Sequence, residues 1–144
     1  MIRSGLLDLL PATTTPNRVA LLGMHDWTDP TLPAIAAELG LTLFAPDALR
    51  TTSNPALDWL AATGASKVAI HFDVDTIDAN EIRLGLGADI GGLTSNQTRR
   101  LVTDIGRNVG VVALTIAEFI PRQVIHLQHI LDGFPLHGDA ERPC

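Results

Sequence analysis

A chain of 144 residues, 46% of them apolar and with a net charge of −6, is long enough to bury a core and too hydrophobic for disorder. Its ten Lys and Arg are scattered, which disfavours nucleic acid as a partner, and no apolar run approaches the roughly 18–20 residues of a membrane span. The single cysteine is Cys144, at the chain end, so an internal disulfide framework and a cysteine-rich zinc site are excluded.

The N-terminal MIRSGLLDLLPATTTP carries one Arg and an apolar patch broken by Asp8, which does not fit a signal peptide. The expectation is one cytoplasmic domain over 1–144, with loose termini at 1–17 and 137–144. RVALLGM (18–24) reads as a short buried strand and HDWTDP (25–30) as its exit loop. Leu32, Ile35, Ala36 and Leu39 follow helical spacing, and Gly40 stops that helix. LTLFA (41–45) is a second strand. Asn54 and Pro55 are expected to cap and start a helix lined by Leu57, Leu60 and Ala61 and closed by Gly64.

KVAIHFD (67–73) is the third strand, followed by the Gly-rich RLGLGADIGG (83–92). That segment lacks the endings of a phosphate loop or a dinucleotide fingerprint, and reads as a turn that carries the backbone around a site. Thr94 with Gln97 matches a capping box, leading a helix whose face is Leu101, Val102, Ile105 and Val109. VVALTIAE (111–118) is the fourth strand, and Val124, Leu127, Ile130 and Leu131 stripe a last helix. Alternating helices and continuous apolar strands predict an α/β protein: a three-layer α/β/α sandwich with an open, mostly parallel sheet. Ligands in such sheets sit at the carboxyl ends of the strands, where the HDWTDP loop, the aspartates after the third strand and Glu118 all fall.

AIHFDVDTID (69–78) places three aspartates at the end of an apolar strand. Side chains alternate along a strand, so His71, Asp73 and Asp75 share a side if the strand continues that far. Same-side carboxylates about 7 Å apart along a strand converge on one ion once the chain bends. Hard divalent cations take such oxygens, and a nearby histidine favours manganese over magnesium or calcium. Asp78 is placed to hydrogen-bond the backbone and fix the bend. Aspartates at strand ends also cap turns, and the residues alone leave both readings open. An EF-hand loop is excluded, because its sixth and twelfth positions would be Asp78 and Leu84. A dehalogenase-like phosphatase would want a downstream lysine, and the only lysine is Lys67. A sugar-nucleotide D-x-D site has no acceptor residues to support it.

FDVDTID (72–78), then GGLT (91–94), then LTIAEFIP (114–121) together resemble the arginase/agmatinase (ureohydrolase) family, in the family's order and near its spacing, over about residues 18–134. The resemblance implies an arginase-like fold, a manganese centre and hydrolysis of a guanidino or amidino C–N bond in a small substrate. Carried over, Asp73 and Asp75 are metal ligands; His71 departs from the family pattern and is a candidate substitute ligand beside them only if the chain is a non-catalytic module binding a single ion. Glu118 pairs with the substrate guanidinium, Asp78 supports the site loop, and Asp29 lies in a substrate-contacting loop. The sequence departs from the pattern at Ala79, where the family has Pro, at His71, and in the Phe119-Ile120-Pro121 exit.

The Gly-Gly-Asp-His and Asp-x-His-x-Asp motifs, which supply most of the family's metal ligands, do not occur. The chain therefore resembles only the C-terminal half of a ureohydrolase, and the expectation is no activity alone and weak manganese binding. Three organisations follow: a complementing chain or a homo-oligomer covers the sheet edge, the missing half is encoded upstream, or the chain is a non-catalytic α/β module or remnant binding one divalent ion or none. His126 and His129, three apart on the last helix, read as ordinary exposed helix residues, and Glu118 also reads as a partner for Arg122.

Overall fold

In the computed structural model, which describes residues 14–25, 31–87 and 89–137, four parallel strands and five helices follow one another in chain order. They are β1 (Ala20–Leu22), α1 (Leu32–Glu38), β2 (Thr42–Phe44), α2 (Pro46–Leu49), α3 (Asn54–Thr63), β3 (Lys67–Asp73), α4 (Ser95–Asn108), β4 (Gly110–Ala117) and α5 (Val124–Leu131). Short 3-10 turns occupy Pro16–Arg18 and Val74–Thr76. The fold is α/β with parallel strands. Among the described residues, no helix is long and apolar enough to cross a membrane.

The strands form two parallel ribbons rather than one continuous sheet. β1 pairs with β2 from Ala20↔Thr42 to Leu22↔Phe44, and β3 pairs with β4 from Lys67↔Gly110 to Asp73↔Ala117, with a register shift at Val68/Ala69. Both ribbons rest on one helical layer. Leu22, Phe44, Val68 and Ile70 pack on a cluster of Leu49, Ala56, Leu60, Leu93, Leu101 and Ile105. Phe72 joins a second cluster with Val102, Leu127, Ile130 and Phe134, and meets Phe134 edge-on at 5.5 Å. Each such side chain removed from water contributes about 1.5–3 kcal/mol.

Local signals set most element ends. Thr94 accepts from the Gln97 amide, and the Gln97 side chain accepts from the Thr94 amide, so the capping box is present. Gly40, at φ +73°, ends α1; Leu41 N–H donates to Ala36 O and Gly40 N–H to Ala37 O, which satisfies the last-turn carbonyls. The cap of α3 is Ser53 and not Asn54, which is the first helical residue. The Ser53 hydroxyl donates to Asp104 on α4 at 2.7 Å, so it anchors one helix to another. α2 has no counterpart among the predicted elements; its Pro46 start and buried Leu49 make a single turn dictated by packing.

Burial departs from expectation in four places, the first being α3, where Ala61 is exposed and Ala56 and Leu60 are buried. β3 and β4 are covered on one face only, and there in part: Ala69, His71, Ala113 and Thr115 are exposed on the other face, and Val112 and Ile116 stay 58% and 41% exposed on the Leu114 face. α1 buries Ala36, while Ile35 and Leu39 stay 44% and 54% exposed. Val124, expected in the α5 stripe, is exposed; Leu127, Ile130 and Leu131 carry that packing.

Candidate functional site: a carboxylate edge wrapped by a glycine loop

The strand carrying the aspartates stops at Asp73, so alternation does not reach Asp75. The chain instead tightens into the Val74–Thr76 turn. Asp73 caps that turn by accepting the Asp75 amide at 3.1 Å. Val74 points into the core at 1% exposure, and Asp73 and Asp75 are left half-buried. Asp78 makes a second local turn: its carboxylate accepts from the Asn80 amide at 2.9 Å, while its own amide donates to Leu93 O.

The Gly-rich loop closes over Asp75. The Gly87 amide donates to Asp75 Oδ2 at 3.2 Å. Gly85 and Gly87 both lie directly against the Asp75 carboxylate, and a Cβ on Gly85 would also stand 2.8 Å from Glu118 O. Neither position has room for a side chain unless Asp75 moves, which explains the glycines by close approach. Ile120 N–H donates to Leu84 O at 2.9 Å and ties the exit of β4 to the same loop.

Glu118 directly follows β4 and holds φ +60°, a left-handed conformation that costs a non-glycine residue about 1–2 kcal/mol. Its side chain is exposed, and among the described residues no ion pair joins it to Arg122. Strain of this kind persists where surrounding contacts enforce it, commonly at functional sites. Burial, then the adjacent Asp73 carboxylate, and further Glu118 and Asp89, hold the Asp75 carboxyl above its usual value; the Gly87 amide pulls it back in part. The structure thus gathers Asp73, Asp75 and Glu118 into one electrostatic neighbourhood and adds Asp89, which the sequence pattern did not single out.

His71 lies on the exposed sheet face, its Nδ1 2.7 Å from the Thr115 hydroxyl directly across the ladder. Asp29 lies outside the described residues. His25, at the end of the β1 exit, places Nδ1 3.0 Å from Gly23 O and packs against Gly92; its buried Nε2 has no hydrogen-bond partner among the described residues. Arg50 grips the far end of the glycine loop, donating to Gly91 O at 2.7 Å and Gly92 O at 2.8 Å. That bond spans more than forty residues of sequence, and no local pattern announces it. His126 and His129 line a separate cavity of about 350 Å³ with Glu81, Asn96 and Arg99, where His126 is hydrogen-bonded to Gln123.

Among the described residues, no group of three or more His, Cys, Asp or Glu is arranged to hold a metal ion. The donors present do not by themselves fit a manganese centre.

No protein-family model and no curated protein sequence matches the chain. Solved structures do. The chain is similar to arginase from Helicobacter pylori, with TM-score 0.76 and 16% identity over 88% of this chain and 44% of that one. It is similar to Entamoeba histolytica arginase, solved with L-ornithine, with TM-score 0.72 and 18% identity over 89% and 45%. Formimidoylglutamase from Bacillus subtilis gives TM-score 0.69 and 19% identity over 83% and 42%. The chain spans less than half the length of each of these structures. Its architecture is a partial arginase-like fold, shared by arginases and a formimidoylglutamase.

Proposed function

We propose that this chain supplies the carboxylate half of a ureohydrolase-type centre and does not turn over substrate alone. What supports the reading is that Asp73 ends β3, Asp75 follows in the next turn and Glu118 directly follows the paired strand β4, with a glycine loop lying against the Asp75 carboxylate, on an arginase-like scaffold. Asp73 and Asp75 would offer oxygens to a manganese ion completed by groups from outside this chain, with His71 the adjacent nitrogen. Glu118 would accept two parallel N–H bonds from a guanidinium, the geometry that a carboxylate suits. Asp78 would hold the loop, and Asp29 remains the candidate for the substrate's far end. No reaction step is assigned to the isolated chain, because its donors fall short of a metal centre.

A second reading is favoured by the hydrogen bonds themselves. Asp73 caps the Val74–Thr76 turn and Asp75 holds the Gly87 amide, so both carboxylates already do structural work. The chain would then be a non-catalytic α/β module binding one divalent ion weakly or none.

Calorimetric titration with manganese separates the two. The half-site reading expects a weak heat in the wild-type chain that is lost in Asp73→Asn and in Asp75→Asn, with no urea released from arginine or agmatine by any of the three. Equal heats in wild type and both variants would remove the metal role. Urea release by the purified chain would overturn the claim that it is incomplete.

A further inference from the structure

The cavity between α4 and α5 shares no residue with the carboxylate edge. Its volume of about 350 Å³ lies at the lower end of the roughly 300–1,000 Å³ of small-molecule sites, a space for a molecule of a few carbons. Three segments build it: the loop after β3 with Glu81 and Ile82, the first turns of α4 with Arg99, and α5 with His126, His129 and Ile130. Ile130 is buried and Ile82 half-buried, so the floor is apolar, while the four ionisable side chains stand exposed around it.

The hydrogen bonds already made decide which chemistry is left to bind. Glu81 Oε2 accepts from the Ser95 amide at 2.7 Å, which holds the one carboxylate of the cavity to the start of α4. Arg99 donates from Nη2 to Asn96 Oδ1 at 3.0 Å, and among the described residues no ion pair engages its guanidinium. Gln123 Oε1 accepts from His126 Nδ1 at 2.9 Å, so Nε2 of that ring donates only when the imidazole is charged. His129 makes no side-chain hydrogen bond among the described residues. The groups left open are therefore a guanidinium fork and two imidazoles, beside the positive end of a 14-residue helix. An arginine fork matches the oxygens of a carboxylate or phosphate. A cation would find only the Glu81 oxygen that Ser95 does not hold. A metal is disfavoured as well, since no third His, Cys, Asp or Glu joins the two histidines in a metal-holding arrangement among the described residues.

We propose that the α4–α5 cavity binds a small organic anion. Its carboxylate or phosphate head is held by Arg99 and by His126 and His129 in their charged forms, and its short apolar stem lies on Ile82 and Ile130. Glu81 opposes the anion and limits its affinity. The site stands whether or not the half-site reading does.

The test is a nuclear magnetic resonance titration of the full chain, following the imidazole and guanidinium signals. The probes are acetate, butyrate, butyl phosphate and inorganic phosphate, with butylammonium as the cationic control. The expected result is a saturable shift of His126, His129 and Arg99 with the butyl anions and none with butylammonium. The stem should make butyrate bind about threefold or more tightly than acetate. Arg99→Gln should weaken the anion about fivefold or more, and His129→Gln gives a second variant on the other helix. Glu81→Gln, which keeps an oxygen for the Ser95 amide, should tighten it. Butyrate stays ionised from about pH 8 to about pH 6, so its affinity should rise across that range as the histidines charge. Butyl phosphate binding without butyrate assigns the head to phosphate, and the reverse assigns it to carboxylate. The absence of a saturable shift overturns the proposal. So do a shift unaltered by Arg99→Gln and His129→Gln, an anion that Glu81→Gln weakens, or imidazoles that answer zinc more tightly than any anion.

Discussion

The two ribbons are built from similar apolar runs and end differently. β3 and β4 run seven and eight residues, press Ile70, Phe72 and Leu114 onto the α4–α5 layer, and carry the carboxylates at their ends. β1 and β2 run three residues each and are nowhere fully buried, and α1 between them turns Leu32, Ile35 and Leu39 outward. An apolar run becomes a long strand only where something packs on it. The carboxylate edge stands on the better-supported ribbon, while the helix of the other ribbon keeps apolar side chains exposed.

The sharpest break in this contrast is a pair of truncations. Phe72→Ala removes a side chain 4% exposed and its edge-on contact with Phe134, and is expected to cost about 3–5 kcal/mol in urea unfolding. Ile35→Ala on α1 is expected to stay within about 0.5 kcal/mol. Comparable losses at both positions would mean that α1 is covered in solution, by a partner or a second copy.

Arg50 is the strap between α2 and the glycine loop. Arg50→Ala strips two charge-assisted bonds from Gly91 and Gly92 and is expected to cost about 1.5–3 kcal/mol. The Asp47 partner of Arg50 is 91% exposed, so Asp47→Ala should leave stability nearly unchanged. A smaller effect is expected from Thr94→Ala, which opens the capping box of α4 for about 1 kcal/mol. If Arg50→Ala also unwinds the glycine loop, amide exchange at Gly87 will rise in that variant and not in Thr94→Ala.

What the sequence made legible was local. β3 was read to its exact ends, and the capping box and the glycine stops at Gly40 and Gly64 were read correctly, because each depends on residues within a turn of one another. The approach of the glycine loop to Asp75 was readable only as a turn, since a glycine's spacing does not say which side chain comes near it. The break between ribbons, the bare face and the Arg50 strap were illegible for one reason: each is set by packing between residues tens of positions apart. The left-handed Glu118 was also hidden, because glutamate gives no signal for that conformation.

The smallest expected effect bears on the carboxylate edge itself. The Asp75 carboxyl is raised above its ordinary 3.8 by burial and by Asp73, Glu118 and Asp89, so the folded chain holds that proton more tightly than the unfolded one. Stability linked to this group is therefore greatest below the ordinary value and falls as pH rises through the shifted one. Above that window the ionised carboxylate is a constant penalty. Asp75→Asn removes the charge while its amide oxygen still accepts the Gly87 N–H. The variant should be more stable than wild type at neutral pH, and the difference should vanish as both are taken into acid. Urea midpoints for the two proteins across that range read this directly. Wild type proving the more stable at neutral pH would show that the ionised Asp75 is held by a positive charge, and the carboxylate edge would then be compensated within the chain rather than left open for a partner or an ion.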